Sequence, residues 1–262
     1  MIIDSNVTDA EHLPAHPAST VMLIRDRSGG DGIEVFVLQR NTNAAFAAGA
    51  YVFPGGRVDD ADADHVDELE AFTPGLDDAA ASARLDIDAG GLGYYVAAIR
   101  ECFEEADLLL AHTAGDGPLP PIDPAERHAV HNGELTMPEL CRRHDLLLDV
   151  AELRYVAHWV TPLEERPRRF DTRFFLAAAP DGQRGDHDRV ETIASRWVRP
   201  EVALDLCGAG ELLLLPPTIS SLSWLADRAT VADALAVADA ADPPPRIMPT
   251  IERDDAGAVT GV

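Results

Sequence analysis

The stretch Ala97-Ala98-Ile99-Arg100-Glu101-Cys102-Phe103-Glu104-Glu105-Ala106-Asp107-Leu108, with Phe53-Pro54-Gly55-Gly56 upstream of it, decides how the chain is read. At about 100° per residue, Val96, Ile99, Phe103, Ala106 and Leu110 fall in one arc of a helix, and Glu101, Glu104 and Glu105 fall in the opposite arc. One arc is core; the other holds three carboxylates. An acidic triplet on a helix is most often a solvated face, but this one is poorly balanced for that purpose. Glu101 and Glu105 are like charges four apart, which costs about 0.2–0.5 kcal/mol, and Arg100 stands N-terminal to Glu104, the weaker order for an ion pair. Three carboxylates at i, i+3 and i+4 instead offer the hard oxygen environment that Mg²⁺ or Mn²⁺ prefers, with water and substrate phosphates completing the octahedron.

Gly-Gly followed by Arg-Glu-apolar-x-Glu-Glu resembles the signature of the Nudix hydrolases, which cleave nucleoside diphosphates linked to another moiety. That signature runs Gly, five residues, Glu, seven residues, then Arg-Glu-apolar-x-Glu-Glu-x-Gly-apolar. With Gly56 as its first residue, Asp62 takes the first acidic place, and Arg100 follows Gly56 by 44 residues where the signature has 14, an insertion of about 30. Asp107 stands where the signature ends its helix on Gly, a place for a left-handed residue that Asp adopts with some strain. The resemblance implies an α/β class: an α/β/α sandwich with a mixed sheet, in one domain, with one insertion between the Gly-Gly turn and the catalytic helix. It also implies that Glu101, Glu104 and Glu105 are catalytic and hold one or more Mg²⁺ or Mn²⁺, which polarise a phosphoryl oxygen and lower the pKa of a bound water. Arg100, about 100° around the helix from Glu101, is expected to brace the carboxylates or the Gly-Gly loop.

Net charge is −25, and the 21 basic residues are all Arg. A surface this acidic argues against nucleic acid or anionic membranes as partners, while a small anionic substrate is compatible if a divalent metal and a few Arg neutralise it. Cys102, Cys141 and Cys207 lack metal-ligand spacing and read as plain thiols. No long apolar run and no basic-then-apolar N-terminus appear, so neither a membrane span nor a signal peptide is expected. The expected location is cytoplasmic, and a homodimer is compatible with everything in the sequence.

Taken in order, residues 1–16 read as a polar tail, 17–239 as the catalytic domain and 240–262, with Pro243-Pro244-Pro245, as a loosely held tail. Ala18 to Arg27 and Ile33 to Arg40 are β-branched and apolar, and Ser28-Gly29-Gly30-Asp31-Gly32 between them signals a hairpin. Residues 59–90 are the insertion, an acidic excursion with a short helix near Asp64 to Phe72, placed to form a lid or a substrate wall. Ala125 to Asp145 reads as two short helices joined near Asn132-Gly133, with Asp123 capping the first ahead of Pro124. Tyr155 to Val160 and Phe170 to Ala179 read as strands, and Glu201 to Cys207 and Thr218 to Ala238 as helices.

Arg40, Gly49 and Phe53-Pro54-Gly55-Gly56 partly match a further signature of the coenzyme A diphosphatase branch, which has an Arg where this chain has Ala45. The run from Trp159 to Phe175 also resembles long-insert members of that branch. The resemblance implies hydrolysis of a diphosphate linkage in coenzyme A or acyl-coenzyme A, with Arg40, Gly55, Gly56, Arg169 and Arg173 at the substrate. Arg166 and Arg168 read as solvated partners of Glu164 and Glu165. Nudix enzymes commonly draw a further acid from the approach to a late strand, and Glu191 stands there as an extra metal ligand or base. Two other readings are an ADP-ribose or NADH pyrophosphatase and a catalytically silent Nudix sensor of a nucleotide metabolite.

Overall fold

The computed structural model describes residues 14–44, 47–63, 66–115, 117, 119–163 and 169–250, and the backbone of 252, 253 and 259–261. Most of the 1–16 tail, Ala45, Asp64 and the segment from Glu164 to Arg168 lie outside the described residues, as do the side chains of Ala61 and Ala63.

The expected hairpin forms from β1 (Ala15–Asp26) and β2 (Ile33–Arg40), paired antiparallel with Ile24 opposite Val35. Both strands are buried on both sides, because Val21 and Leu23 point into one apolar cluster while Met22 and Ile24 point into another. Near-continuous apolar runs of this kind are what a sheet covered on both faces requires. Three short or late strands, β3 (Tyr51–Val52), β7 (Arg154–Val160) and β8 (Arg169–Ala178), extend the sheet to the order β7-β8-β1-β2-β3. β4 (Gly55–Arg57) pairs with β1, and β9 (Thr192–Val198) pairs with β2, while β5 (Ala111–Thr113) and β6 (Leu146–Leu148) form a separate antiparallel pair. β1 and β8 run parallel from Ala15–Arg169 to Ile24–Ala178, whereas β7–β8 and β2–β9 are antiparallel, so the sheet is mixed.

The cluster on one face is closed by α4 (Gly91–Ala106), α5 (Pro124–His131) and α6 (Met137–His144), contributing Val96, Ile99, Phe103, Val130 and Leu140. The cluster on the other face is closed by α7 (Pro200–Gly208), α8 (Pro216–Ala226) and α9 (Val231–Ala240), contributing Ala203, Leu222, Leu225 and Ala234. The result is the three-layer α/β/α sandwich expected from the sequence.

Thr218 to Ala238, read as one helix, is parted into α8 and α9, and two further expectations change. The insertion contributes to the core. It folds into α1 (Asp60–Ala63), α2 (Val66–Leu69), a 3-10 turn (Glu70–Phe72) and α3 (Asp78–Leu85). Leu69, Leu76, Ala81 and Leu85 join the same apolar cluster as α4. α3 crosses α4 so closely that a Cβ on Gly91 would lie 2.5 Å from Ser82 Cα, and the Asp78 carboxylate accepts the orphan amides of Gly90 and Leu92 at the start of α4. Its acidic composition hid an apolar minority, which was enough to commit it to the interior. The second change is at the chain ends. β1 already begins at Ala15, and β10 (Arg246–Ile247) adds a parallel edge strand to β7, so part of the expected C-terminal tail belongs to the sheet.

Candidate active site

The glycine turn and the last turn of α4 meet face to face. Gly55 N donates to Glu105 Oε2 at 3.0 Å, and a Cβ on Gly56 would lie 2.5 Å from Glu101 Cδ. Glycine at 55 is required by crowding against β1, since a Cβ there would stand 2.7 Å from Thr20 Cα. Gly55 and Gly56 are thus the positions at which backbone lies directly against carboxylates.

Arg100 holds the rest. Its Nε and Nη2 reach Asp62 at 2.9–3.3 Å, Nη1 donates to Glu101 Oε1 and Glu104 Oε1 at 3.0 Å each, and Nη2 donates to the Arg57 carbonyl at 2.8 Å. The bracing role expected of Arg100 is what the geometry has, and the residue in the first acidic place of the signature, Asp62, is its main partner. Burial opposes the charge on Arg100, but Glu101, Asp62 and Glu104 outweigh it and hold its pKa well above the ordinary value.

The three glutamates do not form the water-facing arc that a helical wheel suggests. Glu104 and Glu105 are 6% and 3% exposed, Glu104 against Arg100 and His131 of α5, and Glu105 against the glycine turn. The consequence is electrostatic. Burial pushes Glu101 up to about 8, with Arg100 pulling down against it and Glu104 adding repulsion. Burial likewise raises Glu105, with Glu101 and Glu191 adding to the rise and the Gly55 amide and Arg40 opposing it. Glu104 and Asp62 are also raised by burial despite Arg100.

Among the described residues no three His, Cys, Asp or Glu side chains already converge on one point as a metal cage. Arg100 stands between Glu101 and Glu104, Glu104 Oε2 turns to His131 Nδ1 at 3.4 Å, and Glu105 is held by the Gly55 amide. The donor chemistry nevertheless fits a hard divalent cation. Oxygen ligands crowded in one buried turn, their ionisation disfavoured by burial and mutual repulsion, are the groups whose charge a cation would restore. Glu101 and Glu105, which flank the glycine turn, are better placed for it than Glu104.

Glu191 and Arg40 reach the same end of the sheet. Both act electrostatically on Glu105. Arg40 closes β2 next to Thr192, and its buried Nε has no hydrogen-bond partner among the described groups. Glu191 lies just before β9 on a turn built by Asp188, whose carboxylate accepts the amides of Val190, Glu191 and Thr192 and the Thr192 hydroxyl at 2.8–3.1 Å. Burial would raise Asp188, but those donors hold it below the usual carboxylate range. Asn41 N donates to the Glu191 carbonyl at 2.8 Å and ties the turn to the end of β2.

Arg169 and Arg173 have other partners. Arg169 Nε donates to the carbonyls of Thr161 and Pro162. Arg173 pairs with Asp171 and stacks 4.8 Å over the ring of Tyr94, near the start of α4. A strand pattern gives the face on which an Arg lies but not its partners; Arg173 pairs with Ser19, which pairs with Gly56, so it lies level with the glycine turn two strands over. Sequence reasoning passed over Asp188, Arg127 and His131. The Asp188-Arg189-Val190-Glu191-Thr192 run carried a usable signal, an Asp poised to bond amides two to four residues on.

Comparison with known proteins shows the family. Residues 16–225 match the family described as the NUDT19 Nudix domain. The chain is 30% identical over 237 residues to the human (Homo sapiens) acyl-coenzyme A diphosphatase NUDT19, covering 78% of this chain and 63% of that protein. Against the chicken (Gallus gallus) acyl-coenzyme A diphosphatase NUDT19 it is 30% identical over 240 residues, covering 76% and 63%. It therefore spans 63% of the length of these relatives. The crystal structure of a NUDIX hydrolase from Alicyclobacillus acidocaldarius superposes with a TM-score of 0.70 at 27% identity, covering 85% of this chain and 96% of that one. With a family match that takes in the hairpin, the glycine turn, the carboxylate turn and Glu191 together, the chain belongs to the Nudix hydrolase family, in its NUDT19 branch.

Proposed function

We propose that the protein hydrolyses the diphosphate linkage of coenzyme A or its acyl esters, giving a nucleoside bisphosphate and a phosphopantetheine fragment. The observation that carries the reading is the meeting of Glu101 and Glu105 with the Gly55-Gly56 turn, with Arg40 and Glu191 beside them. The likeness to the human and chicken acyl-coenzyme A diphosphatases directs it to coenzyme A.

In this reading Glu101 and Glu105, with Glu104 behind them, hold Mg²⁺ or Mn²⁺, which when bound supplies Lewis-acid polarisation of a phosphoryl oxygen and a more acidic water. Arg100 and Asp62 keep Glu101 and Glu104 from splaying apart. Gly55 and Gly56 let backbone and phosphate approach where any side chain would collide. Arg40 offers its unpartnered Nε–H to a phosphate oxygen, a charge-assisted bond. Glu191 accepts the proton of the attacking water as a carboxylate base, held near Glu105 on the Asp188 turn. Arg169 and Arg173 keep their partners on and beside β8. The cytoplasmic location and homodimeric assembly rest on the sequence reading alone.

The test is a hydrolysis screen with Mg²⁺ and with Mn²⁺ against coenzyme A, acyl-coenzyme A, 3′-dephospho-coenzyme A, ADP-ribose and NADH. Coenzyme A and its esters are expected to have the highest kcat/KM, and Glu105→Gln to lower turnover by at least ~10²-fold without unfolding, because an amide is a poor Mg²⁺ ligand. Turnover of ADP-ribose or NADH about tenfold above coenzyme A would move the protein to the nucleotide-sugar side of the family, and full activity in EDTA would refute the metal.

A further inference from the structure

The C-terminal end of α4 leaves carbonyls without helical partners. Asp107, left-handed at φ 55°, turns the chain so that Asp107 N meets Phe103 O at 3.1 Å and Leu108 N meets Cys102 O at 3.5 Å. Leu108 is therefore not available to Glu104. Arg127 of α5 takes the place of that amide: its Nε donates to the Glu104 carbonyl at 3.0 Å. The other arm of the same guanidinium, Nη2, donates to the Asp186 carbonyl at 3.3 Å, and Asp186 N returns a bond to the Ala106 carbonyl at 2.8 Å. Gln183 adds a two-bond clip, accepting from Leu109 N at 2.8 Å and donating to Leu109 O at 2.9 Å.

Residues 183–191 are thus sewn to the last turn of the carboxylate helix and lead straight into the Asp188 turn that presents Glu191. We propose that Arg127 is a positioning residue: by bridging Glu104 O and Asp186 O it fixes the spacing between Glu105 on α4 and Glu191 on the following segment. It touches neither the carboxylates' oxygens at the glycine turn nor substrate, and acts through the backbone. The inference rests on the reading that Glu191 works beside Glu105.

The planar fork of Arg suits two carbonyls on separate segments, and Lys, with one ammonium, does not reproduce it. Arg127→Ala is expected to lower kcat for coenzyme A with Mg²⁺ by about 10- to 100-fold, since small displacements of reacting groups cost that much, and to leave KM within about threefold. Arg127→Lys should lose most of the same turnover, and serves as the working variant if Arg127→Ala does not fold. In a double-mutant cycle, adding Arg127→Ala to Glu191→Gln should cost nothing further, because the residue acts through Glu191. Independently of activity, amide hydrogen exchange across 183–192 should quicken in Arg127→Ala while that of 91–106 stays protected. Methylguanidinium, and not methylammonium, should restore part of the lost turnover. Unchanged exchange across 183–192, or losses that multiply in the double mutant, would overturn the proposal. Wild-type turnover in Arg127→Ala beside a disabled Glu191→Gln would sink this inference alone, whereas wild-type turnover in Glu191→Gln would sink the role of Glu191 and this inference with it.

Discussion

Arg100→Met keeps the bulk and removes the guanidinium from three carboxylates and one carbonyl. Removing one partner of a buried charge pair costs about 3–5 kcal/mol, because the charges left behind are neither solvated nor paired. The loss must depend on pH. Burial pushes Glu101 in the folded chain up to about 8, against 4.5 for an ordinary Glu, so the folded state holds its proton more tightly and stability falls as pH rises between those values. Without Arg100, which now pulls Glu101, Glu104 and Asp62 downward, the folded pKa values rise further and the fall steepens. Below the ordinary carboxylate pKa the groups are neutral in both folded and unfolded chains, and only lost hydrogen bonds count, about 1–2 kcal/mol. The expectation is a deficit of about 4 kcal/mol near pH 8, set against a total of about 5–15 kcal/mol for a domain, and shrinking to about 1–2 kcal/mol near pH 4.5. Urea denaturation of wild type and variant in metal-free buffer at the two pH values measures it. A deficit that is equal at both pH values, or below about 1 kcal/mol near pH 8, would refute the picture of Arg100 as the compensating charge of a buried acidic turn.

Gly56→Ala sets a Cβ 2.5 Å from Glu101 Cδ, so Glu101 must move; kcat/KM should fall about 10²-fold while far-UV circular dichroism is unchanged, and undiminished turnover would show that Glu101 is not needed against the turn. Leu85→Ala should cost about 2–4 kcal/mol in urea denaturation, since Leu85 is 2% exposed in the cluster shared with α4; a loss under about 1 kcal/mol would return the insertion to the status of a surface ornament. Binding of Mg²⁺ or Mn²⁺ near neutral pH should release protons, because Glu101 at about 8 and the raised Glu105 must ionise to bind, so affinity climbs as pH rises toward 8. Titration calorimetry in two buffers of different ionisation enthalpy reads the release, and heats that do not depend on the buffer would mean that the carboxylates are already charged.

The sequence by itself determined the local facts. Alternating and continuous apolar runs set the β1–β2 hairpin, β7 and β8, because strand burial is written residue by residue. The Arg-Glu-apolar-x-Glu-Glu spacing put the carboxylates on one turn, since helical geometry alone relates i, i+3 and i+4. It also pointed to Asp107 as the helix-ending residue, and the structure has it left-handed there.

What only the tertiary structure decided is what lies across from those residues. The Glu arc is covered, because the glycine turn, α5 and the Arg100–Asp62 pair lie against it, and a sequence pattern records a residue's own polarity and not its neighbour's. The same holds for Arg169 and Arg173, whose strand face was legible but whose partners, two loop carbonyls and Asp171, were not. Asp62 and Arg100 are 38 residues apart in the chain and in contact in space, as Arg127 and Asp186 are 59 apart. Local periodicity carries no information on such pairs, because what brings them together is the burial of apolar side chains elsewhere, and the polar groups satisfy one another only once that packing has placed them.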